Sequence, residues 1–321
     1  MKRINLEQVA QETGSSLSTV SRAIRNAPGV SAEKRRKILE CARTLGYDRR
    51  QASRTIAFII PYLALSHYST EMLEVLTFYL RNDGFSLEMI ESGSIDILEE
   101  QNICGAISIL SKNGLERIWG KISSLPLLCI NTPALVFDGI YSICSDDEDA
   151  MTFLINRLLQ EGHRNIALYA NQNIFDTDVQ CAVIRCRTFQ QIMHQKGLKD
   201  DLIFTASDHF SEEYHTVGRI LDSGATAVIC TTEGFAPRLI HFIKQHGRNV
   251  PRDISVTGWG LTDQEGYCDP PVSCIEQDFN RIGRHAAILF NRLLRHETIA
   301  SSIVVKSNFR ERCSIAPPRS E

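Results

Sequence analysis

Residues 14–26 read GSSLSTVSRAIRN, a run of small hydroxyl side chains that ends in an arginine. Ser16, Thr19 and Ser21 can donate to phosphate oxygens, and their small size lets the backbone come close to a polyanion. Arg22 follows Ser18 by one helical turn, and a guanidinium so placed can pair with O6 and N7 of a guanine in bidentate fashion. Such side chains suit recognition of a duplex nucleic acid rather than bond breaking, and the alternative is that they are ordinary surface residues. The chain contains no phosphate-binding loop, no GxGxxG and no GxSxG, so no enzyme is expected. Asp146-Asp147-Glu148-Asp149 resembles a metal cluster at first sight, but acids suit the first turn of a helix, and the run reads as a solvated loop and helix start. The 10 cysteines include no CxxC, and no metal and no cofactor is expected; most should be reduced, buried and apolar in role.

The elements that must position the first stretch are short helices. Asn5 can cap a helix with Gln8 in the capping-box position, and Leu6, Val9 and Ala10 share a face. Gly14 stops that helix after about two turns of chain. Ser15 or Ser16 can cap a second helix whose Leu17, Val20 and Ile24 are spaced for helical contact, and Asn26, Pro28 and Gly29 end it. Ser31 caps a third that runs to about Leu45, with Ile38, Ala42 and Leu45 as its inner stripe. Two short helices about a tight glycine turn, closed by a third, form a helix-turn-helix head, whose second helix enters the major groove.

Charge divides the chain at the same place. Residues 1–54 hold 12 basic and 5 acidic residues, a net of +7, while the other residues hold 23 and 33, a net of −10. A solvated basic face would account for the charge alone; charge together with the helical pattern points to a polyanion partner. From Thr55 the period changes. Apolar runs at 56–61, 86–90, 104–110, 125–131, 165–170, 225–231 and 253–259 read as strands. Helices are predicted over 69–82, 149–163, 185–196, 235–246 and 278–295, and the alternation predicts parallel sheets covered on both faces. The chain has 321 residues, enough for two or three domains, with a hydrophobic share of 43%. No stretch of about 18 apolar residues is present and the N-terminus has no secretory pattern, so a cytoplasmic protein with no membrane partner is expected.

The head resembles that of the LacI/GalR family of bacterial repressors. Val9-Ala10, Gly14, Ser16, Thr19-Val20-Ser21-Arg22, Asn26, Val30-Ser31, Arg35 and Leu45-Gly46-Tyr47 carry the likeness. The body is similar too, over 158–170, 250–259 and 270–294. The resemblance implies a helix-turn-helix domain over 1–47 and a linker over 48–55. A periplasmic-binding-protein-like α/β body of two Rossmann-like lobes follows over 56–313, then a tail over 314–321. Chain crossings between lobes are expected near 132–135 and 264–275. Leu17, Ser18 and Arg22 would read bases, Leu17 by apolar contact with a thymine methyl, and Ser16, Thr19, Ser21, Asn26 and Ser31 would support DNA binding.

The resemblance also implies an effector cleft. Asp149 lies at a family cleft position, and Arg185 in RCRTF (185–189) matches the family's RxxGF arginine, whose guanidinium suits sugar hydroxyls or a carboxylate. Thr232-Glu233 replaces an Asn-Asp pair, and Gly260 in GWGL replaces the family's sugar-binding aspartate. Trp259, Phe210 and Phe175 could stack on a ring or belong to the core. The linker departs as well. DRRQASRT (48–55) is short and lacks the leucine with which the family wedges the minor groove, leaving Arg49, Arg50 and Arg54 to meet phosphates or the groove. The segment 91–102 is short for the family's second helix of the body. The ending lacks a leucine heptad tail, so a homodimer is expected rather than a tetramer. The implied function is a sequence-specific repressor on a pseudo-palindromic operator, controlled by a sugar or sugar derivative between the lobes. The alternative is a DNA-binding regulator that no longer senses a small molecule.

Overall fold

A computed structural model describes residues 5–24, 27–45, 47, 53–60, 67–93, 103–109, 115, 119, 125–132, 140–171, 180–206, 209–260, 266–295, 297 and 302–319. The head begins with α1 (Leu6–Glu12), whose N-terminus is closed by a reciprocal pair: the Gln8 amide donates to Asn5 Oδ1 at 3.0 Å, and the Asn5 amide donates to Gln8 Oε1 at 2.8 Å. Gly14 then turns the chain at φ +57°, where an L side chain is disfavoured. Ser16 opens α2 (Leu17–Ile24) by accepting from the Thr19 amide at 3.2 Å, and Ser31 opens α3 (Ala32–Leu45) by accepting from Lys34 at 3.3 Å. Both satisfy a helix-end donor that lacks an intrahelical partner. Val9, Val20, Ala23, Ile24 and Ile38 form the buried centre of the head, with Leu45 packed against it.

The body consists of two sheets. The first runs in the order β11-β5-β4-β3-β1-β2, made of β1 (Thr55–Ile60), β2 (Ser86–Glu91), β3 (Gly105–Ile109), β4 (Leu127–Ile130), β5 (Ile140–Ser145) and β11 (Ser302–Val305). Its ladders are parallel. The second runs β12-β10-β9-β8-β6-β7, made of β6 (Ile166–Asn171), β7 (Ile203–Ala206), β8 (Ala227–Cys230), β9 (Ser255–Gly260), β10 (Ser273–Glu276) and β12 (Asn308–Arg310). Only β12 runs antiparallel within its described ladders. The central strands are buried along their whole length, as parallel strands covered on two faces must be. One face of the first sheet packs on α4 (His67–Asn82) and α9 (Phe279–Leu294). The second is covered by α5 (Asp147–Gln160) and α6 (Gln180–Gln195) on one face and by α7 (Phe210–Asp222) and α8 (Phe235–Gln245) on the other.

Several elements depart from the sequence reading. Strands β5, β7, β10, β11 and β12 carry no strong alternation, helix α7 is not among the predicted helices although Phe210, Tyr214, Val217 and Ile220 recur at helical spacing, and α6 starts five residues before the expected Arg185. The crossings are also displaced. Leu127 of β4 pairs with Ile140 of β5 within the first sheet, so the chain does not change lobes at 132–135. Likewise β9 and β10 pair within the second sheet, and no crossing falls at 264–275. The chain crosses at Asp146, at Gln277–Asp278 and at Lys306–Ser307. Hydrogen bonds strap these crossings together. Gln277 Nε2 donates to Ser145 Oγ at 2.7 Å, the Ser307 amide donates to Asp146 Oδ1 at 2.7 Å, and the Asp146 amide donates to the Val305 carbonyl at 3.1 Å. Residues 314–319 lie against the second lobe: Ser314 is fully buried and donates to the Val256 carbonyl at 2.6 Å.

Candidate functional site

The second helix of the head presents a polar surface. Leu17 is 47% exposed, and Ser16, Ser18 and Arg22 are exposed beside it, with Thr19 and Ser21 half-buried. The hydroxyls are ordered by one another: Ser16 Oγ lies 3.0 Å from Ser18 Oγ and 2.8 Å from Thr19 Oγ1. Ser31 is exposed at the start of α3, one turn before exposed Lys34, Arg36 and Lys37. Arg54 is exposed at the foot of β1, with its guanidinium 5.1 Å from the centre of the Phe85 ring. Asn26, Arg49 and Arg50 lie outside the described residues. The face therefore combines small donors, a forked cation and one exposed apolar side chain, the group types that contact phosphate oxygens, guanine and thymine methyls.

The second site lies where the lobes meet. A cavity of about 260 Å³ is lined by Asn131 and Cys144 from the first lobe, by Cys181 and Ile184 of α6, and by the acidic start of α5 with Asp149. Arg185 stands one helical turn past Cys181 and is only 8% exposed. Its Nε and Nη2 donate to Asp147 Oδ1 at 3.0 and 2.9 Å, and its Nη1 donates to the Thr231 carbonyl at 2.7 Å. The guanidinium also lies over Trp259, 4.2 Å from the ring. Asp147 therefore does not belong to a solvated acidic loop: it is buried and ion-paired, and burial raises its pKa while Arg185 pulls it back. The sequence reading missed it because nothing in the local run distinguishes it from exposed Glu148 and Asp149. A buried guanidinium demands a carboxylate, and that demand is the signal that could have found it.

The other expected cleft residues separate into groups. Asp149 is exposed and lines the cavity. Thr232 and Glu233 are half-buried, and it is the carbonyl of Thr231, one residue earlier, that meets Arg185. Trp259 is buried in the second lobe's core, and its indole Nε1 has no hydrogen-bond partner among the described residues. Phe210 is exposed, packs at a tilt against Phe242 with ring centres 4.9 Å apart, and does not line the cavity. Phe175 lies outside the described residues. Gly260 has a φ of +143°, and a Cβ there would lie 2.9 Å from Glu233 Cβ, so Glu233 fills the place a side chain at 260 would need. Asn131, at φ +53°, donates to Tyr68 Oη at 2.5 Å and accepts from the Ser145 amide at 2.9 Å. Burial pushes the Cys144 thiol up to about 12 and raises Cys181 also, so both are held as thiols. Among the described residues there is no cluster of three or more His, Cys, Asp or Glu fit to hold a metal, and no helix is long and apolar enough to cross a membrane.

The chain matches the family described as bacterial regulatory proteins, lacI family, over residues 5–50, and the periplasmic binding protein-like domain over 155–315. It is 24% identical over 316 residues to the HTH-type transcriptional repressor CytR of Escherichia coli K12, covering 92% of this chain and 91% of that protein. It is 24% identical over 322 residues to catabolite control protein A of Priestia megaterium, covering 94% and 96%. The fold is that of the lac repressor dimer bound to operator and the anti-inducer ONPF, with a TM-score of 0.73 at 22% identity over 98% of this chain and 100% of that one. A transcriptional regulator CelR–cellobiose complex is similar at a TM-score of 0.70, with 20% identity over 97% and 100%.

Proposed function

This chain belongs to the lacI family of bacterial regulatory proteins, and from that premise we propose that it is a repressor that binds a pseudo-palindromic operator as a homodimer. It is a DNA-binding transcription regulator, and its relatives are regulators, not enzymes. The observation that carries the reading is the exposed Leu17-Ser18-Arg22 face of α2, held at its start by the Ser16 cap. In the proposed complex Arg22 pairs with a guanine, Leu17 meets a thymine methyl, and the hydroxyls of Ser16, Thr19, Ser21 and Ser31 hold phosphates. Asn26, Arg49, Arg50 and Arg54 add to this set from the sequence. Two heads on one dimer would match two half-sites about one helical turn or a multiple apart. The site of action is the cytoplasm. A small molecule seated between the lobes beside Asp149, with Arg185 held behind Asp147, would bias the placement of the heads; Thr232, Glu233 and Trp259 do not line that cavity.

Selection of sites from a randomised duplex library with full-length protein at fixed salt tests the proposal. An enriched palindrome is the expected result; salt-sensitive binding with no enriched sequence overturns it. Arg50→Ala should weaken binding to all duplexes alike and lower the slope of log affinity against log salt by about 1. A slope unchanged by this substitution removes the linker from the interface.

A second reading is a regulator that has lost small-molecule sensing. Two observations favour it: Arg185 already has protein partners, and Glu233 fills the space beside Gly260. Thermal unfolding against a metabolite panel separates the readings, since a tight ligand raises Tm by mass action.

A further inference from the structure

The guanidinium of Arg185 at the junction of the lobes is heavily used. A guanidinium has five N–H donors, and Arg185 directs Nε and Nη2 to one oxygen of Asp147 and Nη1 to the Thr231 carbonyl. One face is covered by Trp259 at 4.2 Å, and the residue is 8% exposed. A carboxylate or phosphate entering from the cavity would find this cation neutralised, desolvated and screened by a ring. It would also meet Asp146, Glu148 and Asp149, while the described residues that line the cavity include no Lys, Arg or His. Asp146 itself is engaged by the Ser307 amide at 2.7 Å, so it asks for no cation. Each of these contacts turns an anion away, and none leaves a buried charge that needs a counter-ion from outside.

We infer that Asp147 is an internal ligand of Arg185, holding the place an anionic effector would take, so that the inter-lobe cavity receives an uncharged molecule and excludes carboxylates and phosphate esters. The inference rests on the reading of this cavity as the effector site.

The test uses full-length protein without DNA, so it stands apart from the site selection that decides DNA binding. Asp147→Ala opens the space in front of Arg185. Sodium formate and sodium acetate should then raise the Tm of Asp147→Ala saturably, by about 2 °C or more, relative to sodium chloride at equal ionic strength. The wild type and the Asp147→Ala/Arg185→Met double variant should not respond. Merely filling a structural gap would not give a response that is specific to carboxylates and lost with Arg185. A folded Asp147→Ala chain that ignores formate overturns the inference. Where Asp147→Ala does not fold, the wild type decides alone against neutral monosaccharides and nucleosides, their uronic acids and their phosphate esters. A saturable Tm rise with an acid or phosphate ester that disappears in Arg185→Met overturns the inference; indifference to every charged member supports the exclusion it states.

Discussion

Arg22 and Arg185 carry the same group into opposite surroundings. Arg22 is exposed on a helix of eight residues in a head whose net charge is positive. Arg185 is buried in a body whose net charge is negative, with a carboxylate, a carbonyl and an indole around it. Sequence motifs mark both as residues that bind something. Only the fold tells which has already found its partner. A guanidinium left in water keeps its donors for whatever arrives, and one that is buried must satisfy them within the chain. The lesson extends to any likeness that transfers a binding arginine: the transfer needs a count of donors still open.

The comparison breaks first at Asp147. Asp147→Ala should destabilise the body by about 3–5 kcal/mol, because it leaves a buried charge without its partner. Urea unfolding followed by tryptophan fluorescence reads this directly, since Trp259 lies beneath the guanidinium. A loss under about 1 kcal/mol would place Arg185 with the solvated arginines. Arg22→Ala should leave stability intact and weaken discrimination at one base pair by about 1–3 kcal/mol, measured by competition among duplexes substituted at single positions. An unchanged base preference would mean that α2 does not read the groove through this residue. Gly260→Asp places a side chain against Glu233, whose Cβ lies 2.9 Å from the new Cβ, at a backbone angle that disfavours side chains. A destabilisation of about 1–3 kcal/mol is expected, with relief in Gly260→Asp/Glu233→Ala. Additivity of the two changes would show that they do not share this space.

His163 gives the smallest effect and a useful control, because its partners are uncharged. Its ring nitrogens lie 2.9 Å from Thr226 Oγ1 and 3.0 Å from the Ala316 carbonyl, and burial lowers its pKa from 6.5. The unfolded chain therefore takes up the proton first. Stability from this residue is full above about pH 6.5 and falls as pH drops through that value towards the lower folded pKa. Tm should decline between pH 7 and pH 5, and His163→Gln should flatten that decline. A wild-type Tm that rises on acidification would contradict the assignment.

The head was legible because its information is local. Asn5 with Gln8, Ser16 with Thr19, and Ser31 with Lys34 each lie three residues apart, so caps and helices can be read from a short window. The apolar strands were legible for the same reason. Strand β5 was not. Its sequence IYSICS buries Ser142 and Ser145, and their partners are Ser302 and Gln277, more than 130 positions away. The cleft divides similarly. A motif marks Arg185, while Asp147 becomes its partner only once α5 and α6 are packed side by side.

The three strapped crossings have a consequence for how such a protein can be rearranged in evolution or in the laboratory. Neither lobe is a continuous length of chain: the first takes β1 to β5, then α9 and β11, and the second takes the span between together with β12. A single recombination point near residue 50 exchanges the head as a unit. No single point exchanges a lobe. A chimera that joins within the body inherits half of each fold, and a stop codon placed after β10 removes the covering helix of one lobe and an edge strand from both. Head and body are therefore separable inheritances, but the body is inherited whole.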